Sequence, residues 1–215
     1  MPKVIVPVGF IMGPEYGGAG APDRDPNYWE VHLGGDAQTL TTEEFSVWAA
    51  AFTDPPAHAG LETNRARLEQ LLSSDDGGLA GRIAEPAPLV SRLLQSGLLV
   101  EFDPADGPLQ EVCDQLRLLP QGQGLGSTAA EPDAYRIGFG NQPVAQVTSN
   151  VYQLWSYACT FPTLWQACVD MAAAGDAVLA PGEEPLGLDA ETLAREVATV
   201  LPLLVSVGAA FLDPR

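Results

Sequence analysis

The chain repeats its own pattern at an offset of 107 residues, and this constrains its fold more than any single motif does. Tyr28-Trp29-Glu30-Val31-His32-Leu33 aligns without a gap on Tyr135-Arg136-Ile137-Gly138-Phe139-Gly140. Further on, Leu40 and Thr41 fall on Val147 and Thr148, Phe45 on Tyr152, Trp48 on Trp155 and Ala51 on Ala158. Few of these pairs are identical. Their physical roles match instead, as expected of two diverged copies of one folding unit.

In each copy a strand-like segment leads through an apolar residue to a threonine, then to a helical pattern. Thr41 and Thr148 suit the N-cap, where a hydroxyl accepts from a free amide of the first turn. Leu40 with Phe45, and Val147 with Tyr152, occupy the two positions of a hydrophobic staple. Glu44 completes a capping box, which Val151 has lost in the second copy. Phe45, Trp48 and Phe52 then share a helical face, matched by Tyr152, Trp155 and Cys159, and that periodicity predicts core.

The copies also end alike. Residues 58–72 and 163–174 read as further helices. In the first copy a helix over residues 89–96 stops at Gly97, and a strand over 98–102 runs into Asp103-Pro104. In the second, Asp189 caps a helix running towards Val207, Gly208 stops it, and a strand over 209–212 runs into Asp213-Pro214. The order strand, helix, helix, helix, strand within about 75 to 80 residues resembles a winged-helix module, a helix-turn-helix variant. The resemblance rests on element order, capping and length, and covers residues 28–104 and 135–215. It implies an α+β, mainly α, fold class of two diverged winged-helix-like modules with short β-hairpins. Residues 1–27 would be an N-terminal strand and loop. Residues 105–134 would be a Gly/Pro-rich connector or wing, holding a short helix, a strand over 117–119 and a glycine-rich turn over 121–127. Because the second copy ends at Arg215, its terminal hairpin is expected to be completed elsewhere, with the strand at residues 3–10 as candidate partner.

The resemblance also implies DNA binding, the commonest use of such modules, through a third helix that reads base edges in the major groove. The candidate contacts are Arg92 and Gln95 on that helix, Arg195 in the second copy, and Asn64, Arg65 and Arg67 on the preceding helix. Charge weighs against this use. Ten Lys and Arg face 28 Asp and Glu, a net charge of −18, whereas every phosphate contact needs a cation. A non-enzymatic protein-interaction or regulatory adaptor therefore ranks first, with a sequence-specific DNA-binding transcription regulator as the alternative and an enzyme third. The apolar residues Leu193, Val197, Leu201, Leu204 and Val205 belong to a set covering most of one helix circumference, more than a small module buries alone. The other copy or a homodimer would cover them. Acidic faces would recruit basic partners.

No catalytic constellation stands out, and no metal or cofactor is expected. Cys113, Cys159 and Cys168 are odd in number, lack CxxC spacing and read as buried thiols of a reducing compartment. His32 and His58 sit in no ligand-spaced motif. Asp75-Asp76 and Glu183-Glu184 are paired carboxylates in Gly- or Pro-containing loops and read as solvated charge. QGQGLGS, residues 121–127, is GxGxG rather than a dinucleotide fingerprint. Pro7 and Gly9 interrupt the N-terminal apolar run, so a strand rather than a secretion signal is expected there. The uncharged stretch 197–212 is 16 residues long and contains Pro202 and Gly208, too short and too broken for a spanning helix. The expectation is a soluble, cytoplasmic protein without membrane contact.

Overall fold

The computed structural model describes residues 3–17, 25–52, 64–74, 81–177 and 188–215. The chain divides between residues 101 and 102 into two compact units. In the N-terminal unit the elements are β1 (Val4–Pro7), β2 (Phe10–Glu15), β3 (Tyr28–Leu33), β4 (Asp36–Leu40), α1 (Thr42–Ala50), α2 (Arg65–Leu72), α3 (Pro86–Gln95) and β5 (Leu99–Phe102), the last running into the boundary. The C-terminal unit opens with α4 (Leu109–Cys113), then repeats the series. It runs β6 (Leu116–Pro120), β7 (Gln123–Gly126), β8 (Tyr135–Phe139), β9 (Gln142–Val147), α5 (Ser149–Tyr157), a 3-10 turn (Ala158–Thr160), α6 (Leu164–Ala177), α7 (Ala190–Ser206) and β10 (Ala210–Pro214).

Each unit pairs its first strand with its last, β1 with β5 and β6 with β10, and carries an antiparallel three-stranded sheet, β2-β3-β4 or β7-β8-β9. This corrects the expectation of a mainly α chain. Helix covers 41% and strand 28%, with four small antiparallel sheets and seven α-helices among the described residues. The strands that pattern reading missed have a physical reason for being missed. Asp36–Leu40 is mostly polar, with three of its five residues exposed and only Leu40 buried, and Phe10–Glu15 contains both Gly13 and Pro14, so neither shows the apolar alternation that marks a half-buried strand. Nor does the N-terminal strand complete the second copy. β1 closes its own unit, and the second copy finds its partner in β6, where the Arg215 amide donates to the Gln115 carbonyl. The segments read as leading strand and connector thus supply β1 and β2 to one unit and α4, β6 and β7 to the other. The glycine-rich run 121–127 contains β7.

The repeat is deeper than the gapless alignment, and its register differs. Trp29 pairs with Leu40 and Tyr135 with Val147, so the strand residues correspond at an offset of 106; a bulge in β9 then adds the residue that makes it 107. On that register Val31 and Ile137 are both fully buried, and Trp29 stacks on Phe45 (3.9 Å, 4°) where Tyr135 meets Tyr152 (5.0 Å). The first hairpin corresponds at an offset of 113, because the segment between its strands is shorter in the second copy. Gly9 and Gly122 stand at φ +99° and +78°, where a Cβ would press on a carbonyl oxygen of β3 or β8 at 2.7 and 2.6 Å. Only glycine meets both demands. A bulge follows in both copies, leaving Met12 and Leu125 without a partner across the strand.

Caps hold the helices as their sequences require. Thr41 accepts from the Glu44 amide while Glu44 accepts from the Thr41 amide, the full capping box; Thr148 accepts from the Val151 amide alone. α3 and α7 end identically, Gly97 and Gly208 bonding back to Leu94 and Val205, and Leu98 and Ala209 to Leu93 and Leu204. The tryptophan faces are core. Trp48 and Trp155 are 2% and 5% exposed, and their indole N–H groups donate to carbonyls at the closing strand pair, Val8 in one unit (3.0 Å) and Ala209 in the other (2.7 Å). Leu193, Val197, Leu201, Leu204 and Val205 of α7 are all buried.

Candidate interaction surfaces

The arginines expected to contact a ligand are mostly committed within the chain. Arg92 extends from α3 to Glu44 at 2.7 Å, and Arg195 reaches Glu191 at 2.7 Å one turn back on α7. Arg65 donates to Ser91 Oγ (2.9 Å) and lies 3.5 Å from Glu69. Asn64 is the N-cap of α2, its side chain accepting from the Arg67 amide. Gln95 and Arg67 are exposed, and Arg67 has no ion pair among the described residues. Asn64, Arg65 and Arg67 are thus brought together at one helix start, while Arg92, Gln95 and Arg195 stand elsewhere, three of the six bound to carboxylates.

Burial raises the Glu44 pKa, but bonds from the Thr41 amide, Arg92 and the Thr41 hydroxyl outweigh it and hold this carboxyl below its usual range. The Asp189 carboxyl is likewise lowered, chiefly by the Thr192 amide it caps. The thiols move the other way. Burial pushes Cys113 far up, with Cys168 and Glu191 adding to it, and pushes Cys168 up to about 12. Thiolate chemistry at those two positions is strongly disfavoured. Among the described residues no group of three or more His, Cys, Asp or Glu side chains is placed to hold a metal ion. Asp75-Asp76, Glu183-Glu184 and His58 lie outside the described residues.

Five of the nine exposed large apolar side chains among the described residues, which pattern reading did not single out, fall on or beside one hairpin. Phe10, Ile11, Met12, Tyr16 and Tyr28 are 36 to 55% exposed, on β2, just beyond it, and on the residue that pairs with Glu15. The sequence signal was present in the apolar run from Val4 to Met12, of which residues 3–10 read as one strand. Gly9 breaks it in two, so that Val4–Pro7 is wholly buried while Phe10, Ile11 and Met12 face solvent. β2 is also an edge strand of its sheet.

A second feature lies in the C-terminal unit, a groove of about 290 Å³ between α5 and α6. Its floor is Leu154, Ala158, Ala167 and Met171, with Tyr157 and Phe161 as aromatic walls and Asp170 at the rim. No helix among the described residues is long and apolar enough to cross a membrane. Comparison with protein-family models, with curated proteins and with solved structures finds no match.

Proposed function

We propose that the chain is a non-enzymatic protein-interaction adaptor whose principal contact surface is the β2 hairpin of the N-terminal unit. One observation carries this reading. The two copies build the same hairpin on the same glycines and bulge, yet one presents Phe10, Ile11 and Met12 where the other presents Gln123, Gly124 and Leu125. The fold therefore does not require an apolar side chain at the positions of Phe10 and Ile11, while the third position is apolar in both copies. Exposed apolar clusters that folding does not demand mark contact sites, and an edge strand offers a row of backbone groups for an incoming strand. A second copy of a chain with net charge −18 meets like-charge repulsion, which favours a different, basic partner over a homodimer. The reading places the chain in the cytoplasm, where its free cysteines stay reduced.

The test compares two double variants of the full chain in cross-linking from cells that express it. Phe10→Gln with Met12→Gln should lose the cross-linked protein partner, and Arg65→Glu with Arg67→Glu should keep it. DNA recovered with the wild-type chain at physiological salt, and lost with the arginine variant alone, would replace this reading with DNA binding.

A further inference from the structure

We infer that the groove between α5 and α6 receives an arginine side chain presented by a basic polypeptide. The inference rests on the chain being a protein binder, but not on the β2 surface, because the groove lies wholly in the other unit. At about 290 Å³ the groove is at the lower limit of small-molecule sites, a volume for one side chain rather than a large cofactor. Its chemistry runs from apolar to anionic along its depth. Leu154, Ala158 and Ala167 are buried and close the floor. The half-buried ring of Phe161 and the exposed ring of Tyr157 stand above them. Asp170 is exposed at the rim, with no cation paired to it among the described residues and no Lys or Arg in the lining.

An apolar side chain would fill the floor and gain nothing from the carboxylate at the rim, which stays hydrated. A free anion would meet Asp170 and a chain of net charge −18. A long cationic side chain satisfies all of the groove, its methylene stem on the floor and its charge at the rim. Guanidinium suits the site better than ammonium, because its weakly hydrated plane stacks on aromatic rings and can bond a carboxylate through two N–H groups at once.

The test uses acetyl-Gly-Arg-Gly-amide and its citrulline counterpart, which keeps the shape and removes the charge, titrated into methyl-labelled full-length protein. The arginine peptide should shift the Met171 methyl and neighbouring alanine methyl resonances saturably, and the citrulline peptide should bind at least about fivefold more weakly. Asp170→Asn and Tyr157→Ala should each weaken binding several-fold while leaving the spectrum otherwise folded, since both side chains are exposed. Absence of a saturable shift at these methyls, equal affinity for citrulline, or tighter binding of a leucine peptide would overturn the inference. Because the readout sits in the C-terminal unit, the same titration of the Phe10→Gln, Met12→Gln variant should be unchanged. Failure of the β2 reading is therefore distinguishable from failure of this one.

Discussion

The two first hairpins of the molecule, β2-β3 and β7-β8, make a natural internal control. Both begin at a glycine whose Cβ would collide with a carbonyl oxygen, and both are bent by a bulge that leaves one residue unpaired. What differs is the cargo. Gln123 and Gly124 add nothing apolar, and a Cβ on Gly124 would run into the Tyr152 hydroxyl, whereas Phe10 and Ile11 at the matching positions are 39% and 41% exposed; the bulged residue is apolar in both, Met12 and Leu125. Fully burying a large apolar side chain is worth about 1.5 to 3 kcal/mol, so Phe10 and Ile11, left about two-fifths exposed, forgo part of a stabilisation that the fold could have used. The comparison teaches that shared features report on folding, and divergent exposed features report on use.

The same logic applies at the helix that follows the three-stranded sheet in each unit, α1 and α5. Its N-terminus in the N-terminal unit is served by the neighbouring Glu44, which Arg92 holds in place. In the C-terminal unit a carboxylate arrives from α7 instead, with Glu196 accepting from Thr148 and Asn150 at 3.2 Å. Both helix starts gain an anion, as the free amides and the helix dipole favour. They differ in whether the sequence neighbour or a distant helix supplies it.

The equivalence of the units is broken most readily at the tryptophans. Trp48→Ala and Trp155→Ala should each destabilise the chain by about 3 to 5 kcal/mol in denaturant unfolding, the range for a buried aromatic. A loss below roughly 1 kcal/mol in either would mean that one face is not core. Next come Gly9→Ala and Gly122→Ala, which should each lose about 1 to 3 kcal/mol through backbone strain and the carbonyl contact. A large effect at one position and none at the other would end the claim that the hairpins share one geometry.

The helix caps give a smaller effect with a sign. Glu44 titrates below its usual value in the folded chain, so it stabilises above the unfolded carboxylate range, and that contribution is lost as pH falls through the folded value. Glu44→Gln should therefore be less stable than wild type near neutral pH, by about 1 kcal/mol for a lost cap contact, and the two should converge in acid. Thermal unfolding across pH 3 to about 7 reads this, since that window spans ordinary carboxylate titration. The smallest effect expected is that of Phe10→Gln with Met12→Gln on stability, within about 0.5 kcal/mol of wild type, as for surface positions.

Helix caps and helix stops were legible in the sequence because they are local. Thr41, Glu44 and Asp189 act on amides within three residues, and Gly97 and Gly208 on the turn just finished. The aromatic face of α1 was legible for the same reason. Strand pairing was not, because β1 finds β5 some ninety residues away and nothing in Val4–Pro7 names its partner. The one-residue register difference in β3 was hidden by the bulge in β9, which restores the alignment before the helix begins. The arginines were visible as residue types, but the glutamates that take up Arg92 and Arg195 become partners only through folding or helical spacing. The β2 surface was visible only as the end of an apolar run, and a strand read over residues 3–10 passes through Gly9, where the turn decides which half is buried.

The most direct measurement is the cross-linked partner profile of the wild-type chain beside the Phe10→Gln, Met12→Gln variant, with equal folded content verified by denaturant unfolding. The account predicts a defined protein partner present with wild type and absent with the variant. An unchanged partner profile in the variant would contradict it, and would return the exposed apolar residues of β2 to the status of ordinary surface.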